Sequence, residues 1–237
     1  MNLTIAGLTA RALFGRRRLL LLLPMPILLI GLTALAAGTS ADPAGWGPIV
    51  LGDLGLGVIL PLTALIIGSS VLGLEIEDGT ITHILSKPVP RSEIIFSKLV
   101  VAWAATVAAT AVPLAIAGAI AESPLLAIGL GLGTAVGALV YTALFLALSL
   151  LSRRPVAVGL VYIMLWENVL TRFVDGARVL SVQQYSTTLA GGIADTELLT
   201  GQILPLTAAL LAIAFTALGA TVATTRLRSF TLTGETS

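Results

Sequence analysis

Cysteine is absent from this sequence of 237 residues, and histidine occurs only once, at His83. The chain therefore has no disulfide framework, no thiol nucleophile and no cysteine-based metal site. One histidine cannot build a metal site or a catalytic triad alone, and the sequence contains no phosphate-binding loop, HExxH or GxSxG motif. We therefore expect neither catalysis nor a bound cofactor on this chain. If its function involves ATP, another polypeptide must bind the nucleotide.

Charged residues are also scarce, at 11% of the chain, whereas apolar residues reach 57% and the mean hydropathy is +1.03. These values lie far outside the usual range of soluble proteins. The predicted fold class is an all-α integral membrane protein that forms a single transmembrane domain over 1–237. Apolar runs separated by clusters of charge, Pro, Gly or Ser predict six transmembrane helices. They lie at about 19–38, 49–74, 99–121, 125–151, 156–171 and 202–224.

The basic residues are distributed unevenly between the loops that join these spans. If the N-terminus is cytoplasmic, 11 of the 13 Lys and Arg residues fall on the cytoplasmic side, and only Arg172 and Arg178 fall outside. Lys and Arg next to a span resist translocation. We therefore expect cytoplasmic N- and C-termini, a cytoplasmic tail at 225–237 and an extracellular loop at 172–201.

The first 18 residues place apolar side chains at roughly helical spacing before the basic cluster at 16–18. This pattern predicts an amphipathic elbow helix at 1–18 that lies on the inner membrane surface. One alternative is a frayed tail that acts only as a topology signal. Another is that the basic cluster and the apolar run after it form a cleaved signal peptide, although that run is long for a signal.

Small residues recur at helical spacing in two of the predicted spans. They are Gly129, Gly133 and Gly137 in the fourth span and Ala208, Ala212, Thr216 and Ala220 in the sixth. Helices in lipid associate through close backbone approach at such positions. We interpret both sets as packing faces, either between spans or between subunits.

The longest predicted cytoplasmic loop is 75–98, with the sequence EIEDGTITHILSKPVPRSEIIFSK. Gly79 and Thr80 would end the descending helix, and 81–85 can form one or two helical turns that Pro88 and Pro90 stop. Ser92 can then cap the helix that leads into the third span. The sequence favours a short helix held crosswise under the membrane, although a solvated, charge-balanced turn remains an equal alternative from the residues alone.

The elements EIEDGT and ILSKPVPR, followed seven residues later by Lys98, resemble the first intracellular loop of type-2 ATP-binding-cassette (ABC) permeases of the bacterial exporter type. The six spans, the basic elbow, and the WEN of span five followed by LSVQQY are similar to the same family. The resemblance implies that 80–86 is a coupling helix in a cleft of a cytoplasmic ATPase. The residues assigned to ATPase coupling are Glu75, Glu77, Asp78, Gly79, Thr80, Ile81, His83, Ile84, Leu85, Lys87, Pro88, Arg91 and Lys98.

The resemblance further implies a homodimer of permeases in the bacterial plasma (inner) membrane, served by two ATPase subunits that bind ATP and Mg²⁺. Family members of this kind export drugs, antibiotics, lipids or polysaccharides, or serve in the maturation of metalloenzymes. We therefore expect an amphiphilic or apolar solute as cargo, and no nucleic-acid partner.

Glu167 and Asn168 interrupt the apolar fifth span. A carboxylate at the bilayer centre costs about 2.5 to 3.5 kcal/mol on insertion scales, so Glu167 should face the bundle interior, water or a partner. Three interpretations stay open: a structural polar contact, a residue of the substrate pathway, or a proton relay. Arg172 and Arg178 are the nearest cations and could fold back onto it. Asp53, the third polar candidate, is interpreted as interfacial.

The predicted extracellular loop spaces Leu180, Val182, Tyr185 and Leu189 like one face of an amphipathic helix. This segment could re-enter the membrane or lie on the outer leaflet, and a plain exposed loop is the alternative. The functional alternatives to an ABC permease are a self-contained secondary carrier that uses Glu167 as a proton or ion site, and a membrane-embedded enzyme. The sequence offers few converging polar residues for the enzyme.

Overall fold

The computed structural model describes residues 7–10, 24–39, 42–77 and 90–233, and these residues contain helices but no strand. We number the longer helices in chain order. They are α1 Pro24–Gly38; α2 over 43–77; α3 Arg91–Ala121; α4 Pro124–Leu151; α5 over 155–173; α6 Asp175–Arg178; α7 Val182–Ala194; and α8 Pro205–Thr233. The protein is therefore an α-helical membrane protein, as the composition predicts.

Four of these helices contain segments that are long and apolar enough to cross a membrane. The segments are Pro43–Leu72, Arg91–Ala121, Pro124–Leu151 and Pro205–Arg228, and two shorter apolar helices cover Pro24–Gly38 and Pro155–Leu170. A span of about 30 Å needs about 20 helical residues. The shorter helices fall below that length within the described residues, so the six-span count stays a prediction.

Proline and its preceding residue set where several helices begin. Asp42 caps α2, its Oδ1 accepting a hydrogen bond from the Ala44 N–H at 3.1 Å, and Pro43 follows. Ser123 caps α4 in the same way, accepting from the Leu126 N–H at 3.1 Å, and Pro124 follows. The fixed φ of proline suits the first helical position, where no N–H is needed.

Two helices contain wide, π-helical segments. In α2 the order is Pro43–Gly47, a π-helical Pro48–Ile59 and an α-helical Leu60–Glu77. In α5 the π-helical Tyr162–Leu170 lies between two α-helical parts. Such segments are rare in proteins and often mark functional sites.

Helix α4 is the centre of the bundle and packs against α2, α3, α7 and α8. Its Tyr141 and Phe145 are fully buried, and their rings stack at a centroid distance of 5.9 Å. Contacts define two ends of the bundle, one where the start of α3 meets the last part of α2 and one where α5 meets the start of α7. We call the end with the 78–89 connection the loop end, and the end with Glu167 and α7 the far end.

Four threonine side chains on α8 are hydrogen-bonded within their own helix. Each hydroxyl donates to a backbone carbonyl three or four residues earlier, at 2.7 to 2.9 Å. These residues are Thr216, Thr221, Thr224 and Thr225. Their methyl groups are therefore the parts left to face the surroundings.

The boundaries differ from the prediction at the loop end. Helix α2 continues through Glu77, and α3 begins at Arg91, eight residues before the predicted third span. Pro90 occupies the N-cap position of α3, with no hydrogen bond from its side chain. The prediction that Ser92 caps this helix is wrong, because Ser92 already lies in the first helical turn.

Candidate functional site

Glu167 lies in the π-helical part of α5, and only 2% of its surface is exposed. Its Oε1 accepts hydrogen bonds from the Tyr162 hydroxyl at 3.2 Å and from the Val182 N–H at 3.0 Å. Its Oε2 accepts from the Ser181 hydroxyl at 2.5 Å. Both carboxylate oxygens are thus occupied by donors, which offsets the cost of burying the charge.

Two of these donors belong to the N-terminus of α7. Ser181 is the N-cap residue, and its Oγ also accepts from the Gln184 N–H at 3.3 Å. Val182 is the first helical residue, so its N–H has no carbonyl partner inside the helix. A negative charge at this position is stabilised by the free N–H groups and by the helix dipole.

All three tyrosines of the chain surround this carboxylate. Besides Tyr162, Tyr141 and Tyr185 lie close enough to interact with Glu167 electrostatically. The Tyr185 hydroxyl donates to the Val179 carbonyl at 2.8 Å. The buried Tyr141 hydroxyl makes no well-directed hydrogen bond with the part of the chain that the structure describes.

Gly129, Gly133 and Gly137 form a trough on α4 that holds α7. A Cβ on Gly129 would lie 2.5 Å from the Ala190 carbonyl oxygen, and one on Gly133 would lie 2.5 Å from the Ser186 carbonyl oxygen. At Gly137 the Ser186 side chain occupies the space instead. The structure therefore places this glycine face against a helix of the same chain, and a side chain at these positions would push α7 away.

Helix α7 occupies much of the segment 172–201, where the sequence predicted one face of an amphipathic helix. Val182 and Tyr185 are buried at 1% and 0% exposure, whereas Leu180, which precedes the helix, is 40% exposed. The apolar face packs on α4 and α8, where the Tyr185 ring meets Phe215 at a centroid distance of 6.2 Å.

Arg178 packs beside this site. Its Nε donates to the Thr171 carbonyl at 2.9 Å, and its Nη1 donates to Gln202 Oε1 at 2.6 Å. These bonds join the end of α5 to the segment before α8. The side chain of Arg172, the other cation suggested for Glu167, lies outside the described residues.

The two other predicted intramembrane candidates lie apart from the Glu167 contacts. The Asn168 amide nitrogen donates to the Ile163 carbonyl at 2.9 Å, within α5 itself. Asp53 is exposed in the π-helical part of α2. The part of the chain that the structure describes contains no group of three His, Cys, Asp or Glu side chains that could hold a metal ion.

At the loop end, Lys98 is fully buried and its Nζ donates to the Val71 carbonyl at 3.1 Å. This contact ties the start of α3 to the last part of α2. Arg91 is the first residue of α3, and Glu75 and Glu77 lie in the last turn of α2. The remaining predicted coupling residues lie outside the described residues; they are Asp78, Gly79, Thr80, Ile81, His83, Ile84, Leu85, Lys87 and Pro88.

A groove of about 550 Å³ opens beside that contact, between the start of α3 and the end of α8. Phe96 is 54% exposed in its wall. The other lining residues are Ser92, Glu93, Ile95, Ala220, Thr221, Thr224, Thr225 and Arg228. The loop end therefore presents an open apolar surface, whereas at the far end the Glu167 carboxylate is enclosed by buried side chains.

Sequence reasoning missed Tyr162, Ser181 and Val182 as partners of Glu167. One signal was available, because Ser181 stands directly before an amphipathic pattern and so marks a helix N-terminus. An exposed helix N-terminus is a site that attracts a carboxylate. The contacts of Ser181 and Val182 with Glu167 could not be predicted, because the residues are 14 and 15 positions apart in the chain.

These features define a helical membrane protein whose polar contacts hold helices together. Residues 17–174 match a family model described as ABC-2 family transporter protein. The match covers well over half of the chain, and the chain belongs to this family. A comparison with curated protein sequences finds no match.

Proposed function

We propose that this chain is the membrane-spanning permease subunit of an ABC exporter. Two copies would form the translocation pathway for an amphiphilic or apolar solute. A separate cytoplasmic ATPase, also in two copies, would bind ATP and Mg²⁺ and drive the transport. The observation that carries the proposal is the family match over 17–174, together with the apolar helices that those residues form.

The 78–89 connection is the proposed site of ATPase coupling. It joins the end of α2 to the start of α3, and Lys98 links these two helices directly below it through the Val71 carbonyl. A displacement applied to the connection would therefore move both helices together. The exposed groove and Phe96 lie on the same end, within reach of a docked subunit.

The membrane placement extends this proposal. We place the protein in the bacterial plasma membrane with six spans, with both termini and the 78–89 connection in the cytoplasm. The distribution of Lys and Arg supports this orientation. Helix α7 then lies on the outer side, where it would close the bundle around Glu167.

The proposal is tested with Ile84→Asp, co-expressed with the candidate partner ATPase. A charge in the centre of an interface typically costs about 2 kcal/mol or more. We expect expression to be normal, while co-purification of the ATPase and its stimulated ATP hydrolysis are lost. Ile193→Asp is the matched control, because Ile193 is 37% exposed on α7 at the far end. An Ile84→Asp variant that binds and hydrolyses normally would refute the coupling assignment.

The secondary-carrier alternative requires Glu167 to exchange a proton or ion. Donors on α5 and at the N-terminus of α7 occupy the carboxylate, and this arrangement supports a structural contact. Purified permease without any ATPase, reconstituted into vesicles, separates the two functions. Transport driven by a pH gradient alone would favour the carrier.

A further inference from the structure

Helix α7 is attached to the rest of the bundle at both ends. At its C-terminus Asp195 has the left-handed backbone conformation, with φ of 49°, and the following Thr196 hydroxyl donates to Glu122 Oε2 at 2.8 Å. At its N-terminus Ser181 and Val182 donate to Glu167. Between these attachments the helix lies in the glycine trough of α4.

From this geometry we infer that Glu167 is a positioning residue, whose carboxylate fixes the N-terminus of α7 to α5 and so keeps α7 seated in the glycine trough. Helices α5 and α7 then move as one unit when the bundle changes conformation. The inference rests on the proposed function only for its transport readout, because the seating of α7 can be measured on the purified chain.

A carboxylate suits this position better than a neutral side chain. The two oxygens face donors from two directions: Tyr162 and Val182 on Oε1, and Ser181 on Oε2. An amide offers only one acceptor oxygen. Gln at 167 could therefore accept from the donors on one side only, and its own NH₂ group would face the donors on the other side. Alanine would leave the donors buried without an acceptor, which costs more than the bonds contribute on balance.

The glycine trough cannot hold α7 alone in a defined register. Close packing of small residues provides van der Waals contact but no directed bond. If the Glu167 attachment is lost, the N-terminal half of α7 retains two long hydrogen bonds of 3.5 Å, from Gln183 Nε2 to the Gly52 carbonyl and from the Gln202 N–H to Gln184 Oε1. We expect these to hold it less firmly, so that α7 pivots about its C-terminal attachment at Asp195 and Thr196. The side chains that face the trough would then become accessible to water.

The test uses a single reporter thiol, because the chain has no other cysteine. Ser186→Cys places the thiol against Gly137, at a position that is fully buried, and Cys is close to Ser in shape. The rate of its reaction with a water-soluble maleimide is measured on purified protein in detergent. We expect Glu167→Ala to raise this rate about tenfold or more, since hydrogen bonds to a charged group of this kind are lost.

Asn168→Ala is the matched control. Asn168 neighbours Glu167 in the same π-helical segment, but its side-chain bond stays within α5. We expect no change in the thiol reaction rate. An equal increase in the Asn168→Ala variant would overturn the inference, because general loosening of α5 would then explain the effect.

Ser181→Ala provides a second route if Glu167→Ala fails to fold. This change removes one donor to Glu167 and also the cap that accepts from the Gln184 N–H, but it leaves the Val182 N–H bond to Glu167, so we expect a smaller increase in the rate than in Glu167→Ala. The double variant should react more slowly than two independent effects would predict, because both changes break the same attachment. Additive effects of the two substitutions, or wild-type rates in both single variants, would refute the positioning role of Glu167.

A transport assay with the partner ATPase separates this inference from the proposed function. Lost transport with a wild-type thiol rate in Glu167→Gln would mean that the carboxylate acts on the solute or on a proton rather than on the seating of α7, and the positioning role would be wrong. A raised thiol rate in a chain for which no ATPase partner is found would leave the positioning role intact and reject the proposed function.

Discussion

Two buried charges lie at opposite ends of the bundle, and each one bridges the helices that flank a connection. Lys98 reaches from α3 back to Val71 on α2, across 27 residues of chain. Glu167 reaches from α5 forward to the N-terminus of α7, across 14 and 15 residues. At both ends, a buried ionic group therefore restricts how far the flanking helices can separate.

The surroundings of the two charges differ. Glu167 is covered by α7, which lies in the glycine trough, and by the tyrosine side chains. Beside Lys98 a groove is open and Phe96 is half exposed. The contrast indicates that the immediate surroundings of Glu167 are tightly packed, while the groove between α3 and α8 leaves an apolar surface open. The following substitutions test this contrast through thermal unfolding of the purified protein in detergent.

Gly133→Ala should give the largest loss of stability. Its Cβ would lie 2.5 Å from the backbone oxygen of Ser186, and a backbone atom cannot move aside as a flexible side chain can. We expect a loss of about 3 kcal/mol, at the upper end of the cost of overpacking. Gly131→Ala is the control in the same helix, because its Cβ would lie 3.6 Å from Ala115, an ordinary contact. The control should be neutral or stabilising, and equal losses would contradict the trough.

Lys98→Met should have the next largest effect. Methionine retains an unbranched apolar side chain, but the hydrogen bond from the ammonium group to the Val71 carbonyl is lost. A hydrogen bond to a charged group contributes about 1.5 to 3 kcal/mol, so we expect a loss of about 2 kcal/mol. A variant as stable as the wild type would show that Lys98 does not hold α2 and α3 together.

Tyr162→Phe and Tyr141→Phe form a matched pair at the Glu167 site. The Tyr162 hydroxyl donates to Glu167, whereas the Tyr141 hydroxyl makes no well-directed hydrogen bond with described atoms. We expect Tyr162→Phe to cost about 1 kcal/mol and Tyr141→Phe to be close to neutral. The reverse order would mean that Tyr141, rather than Tyr162, holds the carboxylate.

Phe96→Ala should have the smallest effect on stability. More than half of this side chain is exposed in the groove, and substitutions at such positions usually change stability by less than about 0.5 kcal/mol. The same variant should weaken ATPase binding if the groove is part of that interface. A large loss of thermal stability would show instead that the groove is filled by the chain itself.

The sequence predicted the membrane class and the polar and small residues that matter, but not their partners. An intramembrane Glu167 requires a compensating group on energetic grounds alone, yet Arg172 and Arg178 were the only candidates that charge could suggest. The donors that the structure shows are two hydroxyls and a backbone N–H. A backbone N–H carries no sequence signal, and its exposure depends on where α7 begins.

The glycine ladder shows the same limit. The spacing of Gly129, Gly133 and Gly137 predicts a face for close backbone approach, but any helix in the bundle or in another subunit could occupy it. The π-helical segments could not be predicted either. A run of apolar residues indicates that a helix is buried, but it does not indicate whether its backbone hydrogen bonds follow the α or the π pattern. The prediction that Ser92 caps α3 was wrong because Pro90 and Ser92 are both residues that commonly occur at the start of a helix. Side-chain chemistry alone does not decide which of the two is the N-cap.

The hydrogen bonds of the threonines on α8 have a consequence for membrane insertion during synthesis. A helix entering the bilayer is sorted by the free energy of moving its surface from water into lipid, and hydroxyl groups count against entry. In α8 the hydroxyls of Thr216, Thr221, Thr224 and Thr225 are already bonded to the helix backbone. The threonine-rich turns near residue 225 therefore present a surface close to that of valine, and this helix should partition into lipid more readily than a residue-by-residue reading of its threonines suggests.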